Sequence, residues 1–311
     1  METIISPIDK SLLEKELTKE KFIRKTNNGD NSIYIFSNYD SPNLMKEIGR
    51  LRELTFRDAG GGTGKSMDID KHDISETPFK QLIVWNPVDK EIIGGYRFIH
   101  CKELTVNEKG IVSSPTSKLF KYSKKFIKDY LPYTIELGRS FVQPTYQPTN
   151  NIRKGMYSLD NIWDGLGALV IDNPDVKYLF GKVTMYPRFD SLARDLVLFF
   201  MCKYFPDKEK LIFPYKPLKL STENKVLKSI FTGCNYDEDY KILIQKVRGL
   251  NEQIPPLFNA YMNLSATMKT FGTAYNESFG NVEETGIIVT VEDIYDFKKD
   301  RHLSSYKEDV P

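Results

Sequence analysis

The chain has 311 residues, 40% of them hydrophobic and 13% aromatic, with 44 Lys and Arg against 42 Asp and Glu. This excludes a disordered or low-complexity chain and gives enough apolar material for one large domain with a buried core. A net charge of +2 gives no bulk attraction to nucleic acid, and no nucleic-acid partner is expected.

Cys101, Cys202 and Cys234 are odd in number and far apart, which suits a reduced, cytoplasmic protein. His72, His100 and His302 have no metal-ligand spacing, so no metal is expected. The start Met1-Glu-Thr-Ile-Ile-Ser lacks a basic segment followed by an apolar run, so no signal peptide is expected. No run reaches the ~20 apolar residues of a membrane span.

In chain order, residues 9–24 alternate charge and leucine and read as a helical arm, followed by a short strand at Ser32–Ser37. Ser41-Pro42 opens a helix, with Ser as N-cap and Pro at the first turn. That helix carries Arg52 and Phe56 and ends at Asp58-Ala-Gly-Gly-Gly-Thr-Gly-Lys-Ser66. The run loosely fits a phosphate-loop pattern. A phosphate loop follows a strand and opens a helix, whereas here a helix precedes, so a glycine loop at the mouth of a site fits better. Asp68, Asp70 and Asp73 follow, three carboxylates suited to holding arginines or an ammonium group.

Phe79–Trp85 and Glu91–His100 read as a hairpin, with Arg97 interrupting the apolar second strand. Lys118–Lys128 reads as a basic amphipathic helix, a solvated face or a dock for an acidic protein. Tyr133–Val142 is the organising strand. By simple alternation its Glu136 and Arg139 face opposite sides, with the side-chain-free Gly138 between them. Helices at Ser158–Asp172 and Arg188–Phe205 flank a strand at Val176–Met185. Cys234–Asp239 reads as a loop, a helix starts near Ile254, and Glu283–Val291 is a late strand. The tail from Asp300 reads as polar and frayed. With no repeats and no linker, residues 1–311 read as a single α/β (α+β) domain. Residues 1–40 form an arm and first strand, and 206–311 a C-terminal extension completing a mixed central sheet.

The order Leu51-Arg52-x-x-x-Phe56, Asp70-x-x-Asp73, Gly95-Tyr-Arg97-Phe, Glu136-Leu-Gly-Arg139-Ser-Phe-Val resembles the acyl-homoserine-lactone synthases. Trp163-Asp-Gly-Leu, Phe180-Gly-Lys-Val and Ile254-Pro-Pro-Leu-Phe-x-x-Tyr261 are similar to their relatives in the GNAT superfamily, the ornithine and glycine lipid N-acyltransferases, some labelled hemolysin-like. The resemblance spans roughly residues 40–292. It implies a GNAT-like sheet with splayed strands flanked by helices. It also implies direct transfer of a fatty acyl or 3-hydroxyacyl group from acyl carrier protein to the α-amine of a small amino acid, glycine or ornithine, with no bound cofactor.

Glu136 is then the candidate base, helped by Arg139, Arg97, Asp70 and Asp73. Arg52, Phe56, Ser140, Phe141 and Trp163 are candidates for substrate contact. Arg153, Lys154 and Gly155 stand where the superfamily's phosphate-binding loop lies, and Tyr186 is a candidate acid for the leaving thiolate. The usual loop has a second glycine, absent here, a departure that fits a carrier-protein donor better than coenzyme A. A coenzyme A acetyltransferase, a lactone synthase and a non-catalytic acyl-carrier or lipid binder stay as alternatives. An amphipathic product suggests peripheral contact with the inner face of the membrane, through 9–24 or 191–205.

Overall fold

The computed structural model describes residues 1–307. The strands are β1 (Phe22–Lys25), β2 (Ser32–Phe36), β3 (Lys80–Asn86), β4 (Glu91–His100), β5 (Phe120–Tyr122), β6 (Thr134–Val142), β7 (Tyr178–Met185), β8 (Ile212–Pro214), β9 (Lys269–Asn276) and β10 (Val282–Thr290). Among the described residues, eight of them form one mixed sheet in the order β1-β2-β3-β4-β6-β7-β10-β9, and β5 and β8 pair separately. Neighbours in the large sheet run antiparallel except β6 and β7, which are parallel.

The β6–β7 ladder is short. It runs from Thr134 opposite Tyr178 to Leu137 opposite Gly181 and then stops. Beyond it β6 continues along β4, through Val142 opposite Gly94, while β7 continues along β10, through Met185 opposite Glu283. The two strands therefore part, and their facing edges from Gly138 and Lys182 onward have no strand partner in the gap.

Helices α1 (Lys10–Glu16), α2 (Pro42–Asp58), α3 (Lys71–Ile74), α4 (Ile152–Gly155), α5 (Ser158–Asp172), α6 (Ser191–Tyr204), α7 (Asn224–Ile230), α8 (Tyr236–Gly249) and α9 (Pro256–Met262) cover the sheet. On one face, Leu44, Ile48 and Leu51 of α2 pack with Ile83, Trp85 and Phe141. On the other, Ile162, Leu166 and Leu169 of α5 and Leu196, Val197 and Phe200 of α6 pack with Leu82, Val84, Ile135 and Leu179.

Several sequence expectations change. The 9–24 arm is α-helical only through Glu16, adds one 3-10 turn at Lys19–Lys21, and its last residues add β1 to the sheet edge. Its Leu13 is buried against α2. Helix α6 buries most of its apolar side chains in the core, while Leu12 and Phe22 of the arm are exposed. No helix of the described residues is long and apolar enough to cross a membrane. Ser41 precedes α2 as expected but does not cap it; its hydroxyl is bound by Lys21. Glu16 caps instead, accepting from the amides of Asn43 and Leu44 at 3.0 and 2.8 Å.

The basic helix at 118–128 is not formed. Phe120 and Tyr122 are buried and Lys121 between them is exposed, a period-two pattern that pairs as β5 with β8. Phe126–Tyr130 then form a short π-helical turn. Cys234–Asp239 is a loop only up to Asn235, which caps α8 through the Glu238 amide at 3.0 Å. The tail is docked through residue 307, with His302 and Tyr306 buried. The rest of that expected frayed segment, 308–311, lies outside the described residues.

Candidate active site

The site forms on the α2 face, where β6 leaves β7. Glu136 is on the third of the four rungs, opposite Phe180, and is 2% exposed. One carboxylate oxygen accepts from the Thr116 hydroxyl at 2.6 Å and the Thr116 amide at 3.3 Å; the other has no hydrogen-bond partner. Burial pushes the Glu136 carboxyl above its ordinary value, against the lowering effect of the Thr116 and Ser114 hydroxyls and of Lys182. A buried carboxylate with a raised affinity for protons and one bare oxygen is equipped to take a proton from an amine.

Arg139 does not face away from Glu136. A β-bulge separates the pairs Arg97–Gly138 and Gly95–Phe141, putting one extra residue on β6, and Arg139 has φ of +53°. The bulge swings Arg139 onto the α2 face, overriding alternation. Its Nε is 2.7 Å from Asp68, another of its nitrogens is 3.8 Å from Asp70, and its guanidinium lies 4.2 Å from the Phe279 ring centroid.

Next to it is a buried chain of charge. Arg97 of β4 grips Asp70 in bidentate fashion at 2.8 and 2.9 Å and reaches Asp73 at 2.9 Å. Asp73 also accepts from Arg52 of α2 at 3.3 Å and from Gln81 of β3 at 3.0 Å, while Gln81 bonds Arg52 in turn. Burial alone would raise Asp70 and Asp73, but the arginines hold both well below the usual carboxylate range. Burial pushes His72 beside them down to about 4, so it is neutral at pH 7. Three arginines and three aspartates thus meet from α2, the 68–74 turn, β4 and β6. Such a network has discrete geometry and holds Arg139 and Arg97 rigidly at the parting of the strands.

The glycine run beside it is not a phosphate loop. Gly60, Gly62 and Gly64 all have positive φ, and the amides of Thr63 and Gly64 donate to Glu53 of α2 at 3.0 and 2.8 Å. A carboxylate already fills the nest that a phosphate would need. The N-terminal segment lies over the run, with the Glu2 amide donating to Gly64 at 2.8 Å and the Ile5 amide to Ser66 at 3.1 Å.

Residues 51–154 match the acetyltransferase (GNAT) domain family. The glycine N(alpha)-acyltransferase of Phocaeicola vulgatus is 53% identical over 311 residues, spanning all of this chain and 95% of that protein. The glycine N(alpha)-acyltransferase of Bacteroides thetaiotaomicron is 52% identical, spanning all of this chain and 92% of that protein. The chain belongs to the GNAT N-acyltransferases. A solved CoA-dependent acyl-homoserine lactone synthase aligns over 89% of the chain and 90% of its own, with TM-score 0.39 and 9% identity.

The remaining candidate residues of the acyltransferase divide by position. Tyr186 follows β7 on the site's side; a Cβ on Gly61 would come within 3.0 Å of its ring. Burial, then the Glu284 charge, push its hydroxyl up to about 12. Phe56 packs edge-on to Phe279 at 5.1 Å and, with Phe141, belongs to the apolar wall behind the arginines. Ser140 lies half-buried in the bulge. Trp163 is elsewhere: α5 places it on the opposite face of the sheet, against Tyr261 at 5.6 Å.

Arg153, Lys154 and Gly155 form α4, ahead of α5. Arg153 is exposed. Lys154 is engaged by Asp89 at 2.8 Å and lies over the Tyr146 ring. Gly155 serves packing, since a Cβ there would fall 2.4 Å from the Pro148 nitrogen.

Thr116, Gln81, Lys182 and Glu284 escape sequence reasoning. Their contacts join segments distant in the chain, and no local spacing announces them.

Proposed function

We propose that this acyltransferase moves a fatty acyl or 3-hydroxyacyl group from the phosphopantetheine thioester of acyl carrier protein to the α-amine of glycine, in the making of an aminolipid. The observation that carries the reading is Glu136, a buried carboxylate with one unbonded oxygen beside a gap between β6 and β7.

In this reading the pantetheine arm lies between the parted strands. Glu136 takes a proton from the acceptor ammonium, directly or through one water. The free amine attacks the thioester carbonyl, and backbone amides on the unpaired strand edges stabilise the tetrahedral oxyanion. Collapse forms the amide and breaks the carbon–sulfur bond. The second amine proton passes to the leaving thiolate, with the neutral Tyr186 hydroxyl as candidate relay, so one proton ends on Glu136 and one on the thiol. Arg139, partly exposed at the parting of the strands, suits the acceptor's carboxylate, while Arg97 is buried and organises the site through Asp70 and Asp73.

Two observations support the finer choices. The carboxylates around the site already hold cations: Asp68 with Arg139, Asp70 and Asp73 with Arg97, and Glu284 with Lys182. That favours glycine, with one amine, over ornithine, whose second ammonium would need an acidic partner. In the 151–157 segment Gly155 is used in packing and Lys154 by Asp89, which favours a carrier-protein donor over one gripped through a nucleotide diphosphate.

The test is thiol release from 3-hydroxyacyl carrier protein and from 3-hydroxyacyl coenzyme A, each with glycine, ornithine, serine or lysine. Glycine-dependent release from the carrier is the expected result. Release only from coenzyme A would overturn the donor, and faster release with ornithine the acceptor.

A further inference from the structure

Lys182 is the first residue of β7 past its last rung with β6. Phe180 is paired with Glu136, and Lys182, two residues on, shares its face. This makes it a diagonal neighbour of Glu136 one step beyond the ladder, and its charge acts on the Glu136 carboxyl. Its ammonium does not bond Glu136. It lies 2.7 Å from Glu284 of β10, and the two side chains are 12% and 4% exposed. The same Glu284 oxygen also accepts from the Asn276 amide group at 3.2 Å.

A buried ion pair is a poor stabiliser, since desolvation offsets most of its attraction, and apolar residues would serve the β7–β10 contact as well. Its position at the parting of the strands calls for another account. The other groups facing Glu136 are uncharged or engaged. Thr116 and Ser114 supply hydroxyls. Tyr122 of β5 and Cys101 at the end of β4 are pushed up by burial first and then by Glu136, so both stay neutral. Arg97 and Arg139 are paired with Asp70, Asp73 and Asp68, and Lys118 faces Asp70.

We infer that Lys182, held back by Glu284, is a positioning residue that keeps the Glu136 carboxylate charged in its buried site without occupying it. The inference rests on Glu136 being the base. A carboxyl this deep tends to hold its proton and then accepts none from the amine. A cation at a distance restores the charged form. A direct Lys182–Glu136 bond would cover the oxygen that must meet the amine, and Glu284 prevents it by taking the ammonium itself.

The test is the pH dependence of kcat at saturating glycine, with 3-hydroxyacyl carrier protein as donor, for the wild type, K182M, K182R and E284Q, alongside E136Q. In K182M the acidic limb is expected to move to higher pH, with kcat on that limb lowered roughly tenfold and recovering in alkali. K182R is expected to follow the wild type. E284Q is expected to move the limb to lower pH, because the negative charge opposing ionisation of Glu136 is gone. If E136Q is inactive while K182M and E284Q superimpose on the wild-type limb, the inference is wrong and the pair is structural only. If K182M fails to fold, the direction of the E284Q limb decides alone. Wild-type turnover by E136Q would remove the base assignment and this inference with it.

Discussion

Glu136→Gln is expected to lower kcat by about 10²- to 10⁴-fold while making the protein more stable at neutral pH. The two effects share a cause. Glutamine fills the same space and its amide oxygen still accepts from Thr116, but it cannot take a proton. The folded protein raises the proton affinity of Glu136 chiefly through burial. Such a group contributes stability that is fully present below its unfolded value, near the ordinary 4.5, and is lost as pH rises through the folded one. Wild type and variant should therefore melt alike in acid and diverge above it, the variant gaining roughly 1–3 kcal/mol at pH 8. Calorimetry at several pH values and thiol release read the two halves. Unchanged turnover would dismiss Glu136 as base, and a variant less stable at pH 8 would dismiss the account of its burial.

The second large effect is one of stability. Asp73→Asn is expected to cost about 3–5 kcal/mol, because Arg52 and Arg97 remain buried with their shared anion gone. At roughly 2 °C per kcal/mol for a chain of this size, the melting point falls by about 6–10 °C. The same network sets the acid limit. Asp70 and Asp73 have folded values held below the ordinary 3.8. Their contribution is complete above that value and is lost as pH falls through the depressed ones. Urea unfolding from about pH 6 down to 2 should show wild-type stability declining below about pH 4, and a shallower decline in Asp73→Asn. Equal slopes would mean that other carboxylates set the acid limit.

Much of this was legible in the sequence, and the exceptions have physical causes. The hairpin β3–β4, the strands β6, β7 and β10, and helices α2, α5 and α6 announce themselves through hydrophobic period, and each lies within a few residues of its expected place. The pairing of Asp68, Asp70 and Asp73 with arginines was one of the readings the sequence offered, and Arg52, Arg97 and Arg139 are the arginines that meet them. The orientation of Arg139 was not legible: a bulge adds one residue to β6, and alternation counts residues without seeing it. The 118–128 segment misled because lysines at every third or fourth place suit a helix, while β5 is chosen by its pairing with β8, about 90 residues on. Trp163 follows the family pattern in sequence yet packs behind the sheet, a matter of which face α5 covers.

The short parallel ladder divides the molecule more sharply than its single sheet suggests. One half-sheet, β1-β2-β3-β4-β6, is drawn wholly from residues 22–142, and the other, β7-β10-β9, wholly from 178–290. Each half is continuous in sequence, and in the sheet itself the two are stitched by the rungs from Thr134–Tyr178 to Leu137–Gly181. Glu136 belongs to the first half and the Lys182–Glu284 pair to the second. The proposed base and the pair proposed to act on it thus come from different pieces: the ribosome makes the residues of the first half before those of the second, and the proposed arrangement exists only once the two are zipped together.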